Sequence, residues 1–581
     1  MILQALCDYY DRKEQNLPPF GFEEKAIPFI IVIDESGHFL YLENTAENDN
    51  GKTIPKIFRV PKASGRSGAK SYETANCLWD HYGYVAAQPK NAKPKDTEKQ
   101  KEKYLEDAQK QHQSFKNKVK QIAVELPNDT GVKAVEKFLN SVAEINKLKV
   151  ADNWSECVKK DGTNLGFRLA ETENLVCQSE NVIEWIKKQP LPEADVKDGF
   201  CLITGEKSQI TRLHDSVRGV AQKPAPLAAI NDSAYNSFGK EKGFNFPVSA
   251  HSIFKYATAL NHLLRKTSTT KFRIADTSYV CWADKDNNLE NVLPFVFNDT
   301  SDDPDAGAEA IKSLFSTIHN GAYQQRDGND RFYLLALAPN SARIVVRLWQ
   351  VGTVADFAEN IYQWFEDLKI EGYDHYGYPP LKKLLRASVL QYKDDNIPPN
   401  MPADIVKSIL SGWQISSTFM QSVVRRLKAE QGNVTYNRAC ILKAFLNRKY
   451  RFSTSSQKEI TVSLNKEERR TGYCLGRLFA VLEKLQQDAQ PGINATIRDR
   501  YYSSASCTPK SVFGTLLRLS THHIKKLENQ SWRVNAEKRI GEVMELIDEF
   551  PANLNLDNQG LFAIGYYHQK QSFYQKSEQG E

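Results

Sequence analysis

Histidines and carboxylates close together in a chain are where hydrolytic or metal chemistry would be sought. This 581-residue sequence offers His214-Asp215, the adjacent His522-His523, and Asp299, Asp302, Asp303 and Asp305. A metal-dependent nuclease needs such groups converging on one ion, from strand ends or at a fixed helical spacing. Neighbours on a helix diverge by about 100°, so the two adjacent histidines cannot chelate one ion together. The four aspartates lie between Pro294 and Gly307 and lack the central glycine and closing glutamate of a calcium loop, so they read as a solvated loop. No G-x-S-x-G or H-E-x-x-H occurs, and the nine cysteines stand singly with no C-x-x-C pair. These observations predict a non-enzyme without cofactor or metal, in a reducing, cytoplasmic setting.

The cations carry more information than the acids. Residues 61–71, PKASGRSGAKS, contain Lys62, Arg66 and Lys70 and no acid. The GRSGAKS portion lacks the lysine that directly follows the last glycine of a phosphate-binding P-loop, because Ala69 intervenes. Two readings remain, a flexible surface loop and a nucleic-acid contact. In the second, Ser67 and Gly68 let backbone N–H groups approach a phosphate or groove, Arg66 and Lys70 supply charge, and the nearby Asn76 offers one donor and one acceptor to a base edge. Residues 85–125 read as a basic, partly helical insertion, either a solvated face or a contact for a displaced strand. Between 425 and 451 stand Arg425, Arg426, Lys428, Arg438, Lys443, Arg448, Lys449 and Arg451 against one acid, Glu430. A solvated helix usually mixes its signs, so this run is expected to bind a phosphate backbone. Arg498 and Arg500, beside Tyr501 and Tyr502, suit a single strand; a helix-end contact explains them equally well.

The elements that must position these groups follow from apolar periodicity. A helix is expected over 2–12, a hairpin from 27–33 with 39–42, and a strand over 54–60. The stretch 201–264 reads as a hairpin (201–204 with 209–213), a strand at 226–230, a long polar crossing, and a helix capped by Ser249 with Ile253, Ala257, Leu260 and Leu264 on one face. Strands over 331–339 and 342–351 precede a helix over 354–368, and another helix is expected over 404–427. Past 462 the stripes are helical, with a loop at 494–502. The fold class is therefore α+β: an N-terminal mixed sheet-and-helix region at 1–395, a basic helical connector at 396–461, and a C-terminal all-α helical bundle at 462–581.

Hydrophobic content of 41%, charged content of 25% and a net charge of +6 fit a water-soluble chain for which nucleic acid is permitted. No run approaches the length of a membrane span, and Met1-Ile2-Leu3-Gln4 leads straight into polar residues, which reads as no export signal.

One order of segments is specific. TGE at 204–206, RLH at 212–214, SFGKE at 237–241, FPVS at 246–249 and YATALN at 256–261 follow one another. Further segments are MILQALCDYYDR at 1–12, RFYLLALAPNSARIVVRLW at 331–349, YNRACILKAFLNR at 436–448, GYCLGRLFAVLEKLQ at 472–486 and QGLFAIGYYHQ at 559–569. Together they resemble the large subunit of the type I-C CRISPR surveillance complex, Cascade. The resemblance implies a non-catalytic subunit that reads the protospacer-adjacent motif (PAM) and stabilises unwound strands. It implies as partners the target double-stranded DNA and its displaced strand, the guide RNA complex, the backbone and small subunits, and a recruited helicase-nuclease, with no membrane. It favours the nucleic-acid reading of 61–76. It also implies an internal translation start releasing a small-subunit-like product, expected at Val462 with Met420 as second choice. The alternative is a metal-dependent nuclease of the same defence system.

Overall fold

The computed structural model describes the chain except residues 50–51, 67–69, 190–195, 231, 298–311, 314–315, 317–319, 321–328, 342, 454–456 and 575–581. Two compact units emerge. One comprises Leu3–Asp215 with Ala228–His262, the other Ser216–Leu227 with Leu263–Glu581. The fold is α+β, with sheets and helices in the N-terminal part and helices alone towards the C-terminus.

In the first unit, the run Phe29–Ile33 is aromatic and β-branched throughout, and all five residues are buried. Such a run belongs at the centre of a sheet. It pairs antiparallel with Phe39–Asn44 and parallel with Asn164–Leu169, whose other edge carries Trp79–His81. A parallel pair needs a long crossover, and helices Glu98–Glu125, Thr130–Asn140 and Val142–Lys149 lie within it. The first of these starts from a Thr97/Gln100 capping box and buries Ala108, Phe115, Val119, Ile122 and Ala123. Phe115 stacks on Phe167 of the sheet with ring centroids 6.3 Å apart. The expected insertion at 85–125 is thus half core: its second half is bolted to the sheet, while residues 98–107 bury nothing.

The expected helix at 2–12 is Ile2–Arg12, and it meets Ala250–Leu263 through a Tyr10–Phe254 edge contact. Ser249 caps that second helix, accepting from Ser252 N at 3.2 Å. The hairpin before it pairs Val196–Phe200 with Lys207–Thr211. Residues 201–204, expected as a strand, form its turn, with Gly205 at φ +74° and Gly205 N donating to Cys201 O. Of the strand expected at 226–230, only Ala225–Pro226 pairs, with Ser216–Val217.

The second unit opens with an antiparallel sheet of Lys271–Ile274, Thr277–Ala283, Arg331–Asn340 and Arg343–Thr353. Helix Val354–Leu368 covers one face with Phe357, Ile361, Trp364 and Leu368. One core then runs from Phe272 to Tyr567, so the boundaries expected at 395 and 461 fall inside a single compact unit. The helix expected over 404–427 is two, Met401–Leu410 and Ser417–Ala429, separated by Gly412 at φ +67°. The last helices are Thr471–Ala489, Ile497–Ala505, Pro509–Lys526, Gln530–Met544 and Leu556–Ser572. Residues 494–502, expected as a loop, hold a helix start instead, because Thr496 and Asp499 form a capping box. Thr471–Ala489 and Leu556–Ser572 approach backbone to backbone. A Cβ on Gly476 would lie 2.0 Å from Phe562 O, and one on Gly565 would lie 2.1 Å from Tyr473 O.

Candidate nucleic-acid interface

The acid-free loop at 61–76 is pinned by a buried carboxylate. Asp80 is fully buried and accepts from Asn76 N and His81 N and from the Arg66 guanidinium. Arg66 also donates to Thr74 O at 2.7 Å and lies 4.1 Å over the Tyr84 ring. Asn76, 4% exposed, accepts from Ser64 N at 3.1 Å through its side-chain oxygen. Trp79 and Tyr84 clasp Pro61 O and Ser71 O. Asn76, expected to face DNA, is thus buried, and Arg66, expected beside it there, is held against Asp80 and Tyr84. Both close the loop on itself, because Asp80 needs compensating donors where water does not reach. Lys70 stays largely exposed, with Glu73 3.7 Å away. Ser67 and Gly68 lie outside the described residues.

Between this loop and helix Glu98–Glu125 runs a groove of about 640 Å³. Tyr72 and Thr74 line one wall and Lys110, Gln113, Asn117 and Lys118 the other. Ser114 donates to Glu73 O at 2.8 Å and sets its width. Lysine, amide and hydroxyl side chains stand among its lining residues, and 108–124 holds four lysines and no acid. Sequence reading passed over these amides. Their only signal was the four-residue spacing of Gln113, Asn117 and Gln121 within an acid-free half-helix.

The basic run at 425–451 has a different role from the one expected. Arg438, Lys443 and Arg448 are buried, at 0%, 3% and 0% exposure. Arg448 Nε donates to Asp367 Oδ2 at 2.7 Å and its Nη1 to Ser408 O and Trp413 O. Lys443 donates to Glu366 O and Asp367 O, and Arg438 to Ala387 O and Asn433 O. Burial pulls both Lys443 and Arg448 below their ordinary pKa, and the Asp367 carboxylate opposes it. Arg426 pairs with Glu430, Lys449 with Asp557, and Arg451 with Asp367 and Glu459. These side chains tie helices together, so for the buried Arg438, Lys443 and Arg448 the expected phosphate-backbone contact gives way to an internal polar network. Arg425 is exposed and Lys428 half-buried. In the C-terminal pair, Arg498 contacts Asp499 at 3.2 Å and Arg500 is exposed. Tyr502 is 2% exposed and packs edge-on against Phe479 and Phe562, so it is no platform for a base.

The groups first considered for chemistry are dispersed. His214 is buried, meets Tyr256 OH at 2.7 Å through Nδ1, and has its pKa pushed down to about 4 by burial. Asp215 pairs with Lys62. His523 is buried while its neighbour His522 is exposed. Asp299, Asp302, Asp303 and Asp305 lie outside the described residues. Among the described residues no group of three or more His, Cys, Asp or Glu is placed to hold a metal ion, and no described helix is long and apolar enough to cross a membrane.

Comparison with known families places this α+β chain. Residues 6–574 match the family described as CRISPR-associated protein (Cas_Csd1), and the chain belongs to that family. None of the curated proteins compared with it matches.

Proposed function

We propose that this chain is the non-catalytic large subunit of a type I-C Cascade. It reads the PAM on the target duplex, helps hold the unwound strands, and docks a separate helicase-nuclease. The observation that carries this reading is the family match across residues 6–574, nearly the whole chain. In RNA-guided systems base pairing with the guide reads the target, and the protein reads a short duplex feature and backbone geometry. The groove supports that division of labour, since Lys110, Lys118 and the side-chain amides of Gln113 and Asn117 line it and such groups suit phosphates and base edges. The partners are the target duplex and displaced strand, the guide RNA complex, the backbone and small subunits, and the helicase-nuclease. Incubation of the purified chain with duplex and single-stranded DNA in magnesium or manganese tests the non-catalytic role. Intact DNA is expected; cleavage that a chelator abolishes would make the chain a nuclease.

A further inference from the structure

We infer that the exposed amide stripe of helix Glu98–Glu125, Gln113 and Asn117 with Gln121 beyond them, is the edge that reads duplex DNA, and that Lys110 and Lys118 hold its phosphates. This rests on the proposed function and names the residues and the ligand form. Gln113, Asn117 and Gln121 are exposed and four residues apart, so they share one helix face. They span about 12 Å at 1.5 Å per residue. That is the length of roughly three base steps, and a major groove about 12 Å wide admits a helix.

The first two amides are already organised. Gln113 Nε2 donates to Asn117 Oδ1 at 2.9 Å. Among the described residues this leaves Gln113 Oε1 as an acceptor and the Asn117 amide nitrogen as a donor, neither with a partner. One donor beside one acceptor complements the N7 and N6 amino group of adenine in the major groove. The backbone beneath them is fixed, because Phe115, Val119 and Ile122 are buried and Ser114 bonds Glu73 O. A reading edge on a supported helix keeps its geometry better than one on a loop.

The charge around the stripe favours a polyanion. Residues 108–124 contain no acid; Glu73, the one carboxylate among the groove's described lining residues, has Lys70 beside it, and at the far end of the stripe Gln121 donates to Glu125 at 3.1 Å. Lys110 and Lys118 are eight residues apart, about 12 Å along the axis, too far to share one small anion. Lys110 pairs with Glu106 of its own helix and lies over the Tyr72 ring of the groove, while Lys118, itself lining the groove, lies over Trp185.

The test uses the assembled complex containing the full-length chain, with Gln113→Ala, Asn117→Ala and the pair Lys110→Ala/Lys118→Ala. Binding is measured to target duplexes carrying every flanking motif, and to the same targets as single strands. Each amide variant is expected to lose about 5- to 150-fold discrimination at one motif position, while the lysine pair weakens all duplexes alike and lowers the salt dependence. Wild-type motif preference surviving in both amide variants overturns this stripe and leaves the proposed function standing. Equal losses on single strands and duplexes overturn the duplex assignment. A wild-type complex indifferent to the motif removes the proposed function itself.

Discussion

Asp367 has more consequence for this chain than any residue of the basic run it neutralises. It is 1% exposed and holds Arg448, itself fully buried, together with Arg451. Removing one partner of a buried pair strands the other charge, which typically costs about 3–5 kcal/mol. Asp367→Ala is therefore expected to lower stability by about that much in urea unfolding, whereas Arg425→Ala, on the surface, should leave it unchanged. Equal effects would contradict the network. A second residue-scale expectation concerns pH. An unfolded histidine takes up its proton below about 6.5, but burial delays uptake to about 4 at His214 and about 3 at His568. The unfolded chain then binds more protons than the folded one as pH falls below 6.5, so stability present at pH 7 is lost on acidification. At pH 5 the loss is about 2 kcal/mol per histidine. His568→Gln, although less stable at pH 7, should show a flatter profile between pH 7 and 5; an unchanged slope would refute the assignment. Neither behaviour was legible in the sequence. A window of 27 residues counts only Glu430 against eight cations, while the other carboxylates of the network stand at 367, 459 and 557. Charge pairing in a folded chain is settled by tertiary neighbours.

At the level of elements, local signals served well where an element organises itself. The helix at 2–12, the capped helix after Ser249, the paired strands near 331–353 and the helix behind them all carry their own caps or periodicity. Elements misread were those decided by partners. Residues 201–204 are apolar enough for a strand, yet they turn, with Cys201 N donating to Glu206 O. Helix Glu98–Glu125 looked like a solvated rod because its five buried residues are diluted among lysines. The groove has the same origin: sequence located the loop at 61–71, but the wall facing it comes from a helix some forty residues on. Helix Leu556–Ser572 tests the proposed small-subunit product. Gly560 sits against Met420, Leu442 and Leu446, so a chain of residues 462–581 lacks surfaces that bury this helix. A product starting at Met420 is expected to unfold cooperatively, and one starting at Val462 to bind a hydrophobic dye and unfold at lower urea. Equal stability would favour Val462, the start expected first.

On the scale of the whole molecule, the family spans more of the chain than the proposed DNA-facing surface does. The family match spans both compact units, while the groove proposed to meet DNA belongs to the first alone. The basic run that drew attention in the sequence instead stabilises the second. The most direct measurement is binding of the guide-RNA complex, assembled with and without this chain, to a target whose flanking motif is randomised. The complete complex is expected to enrich a narrow set of motifs, and omission of the chain to abolish the enrichment. The same motif preference without the chain would contradict it.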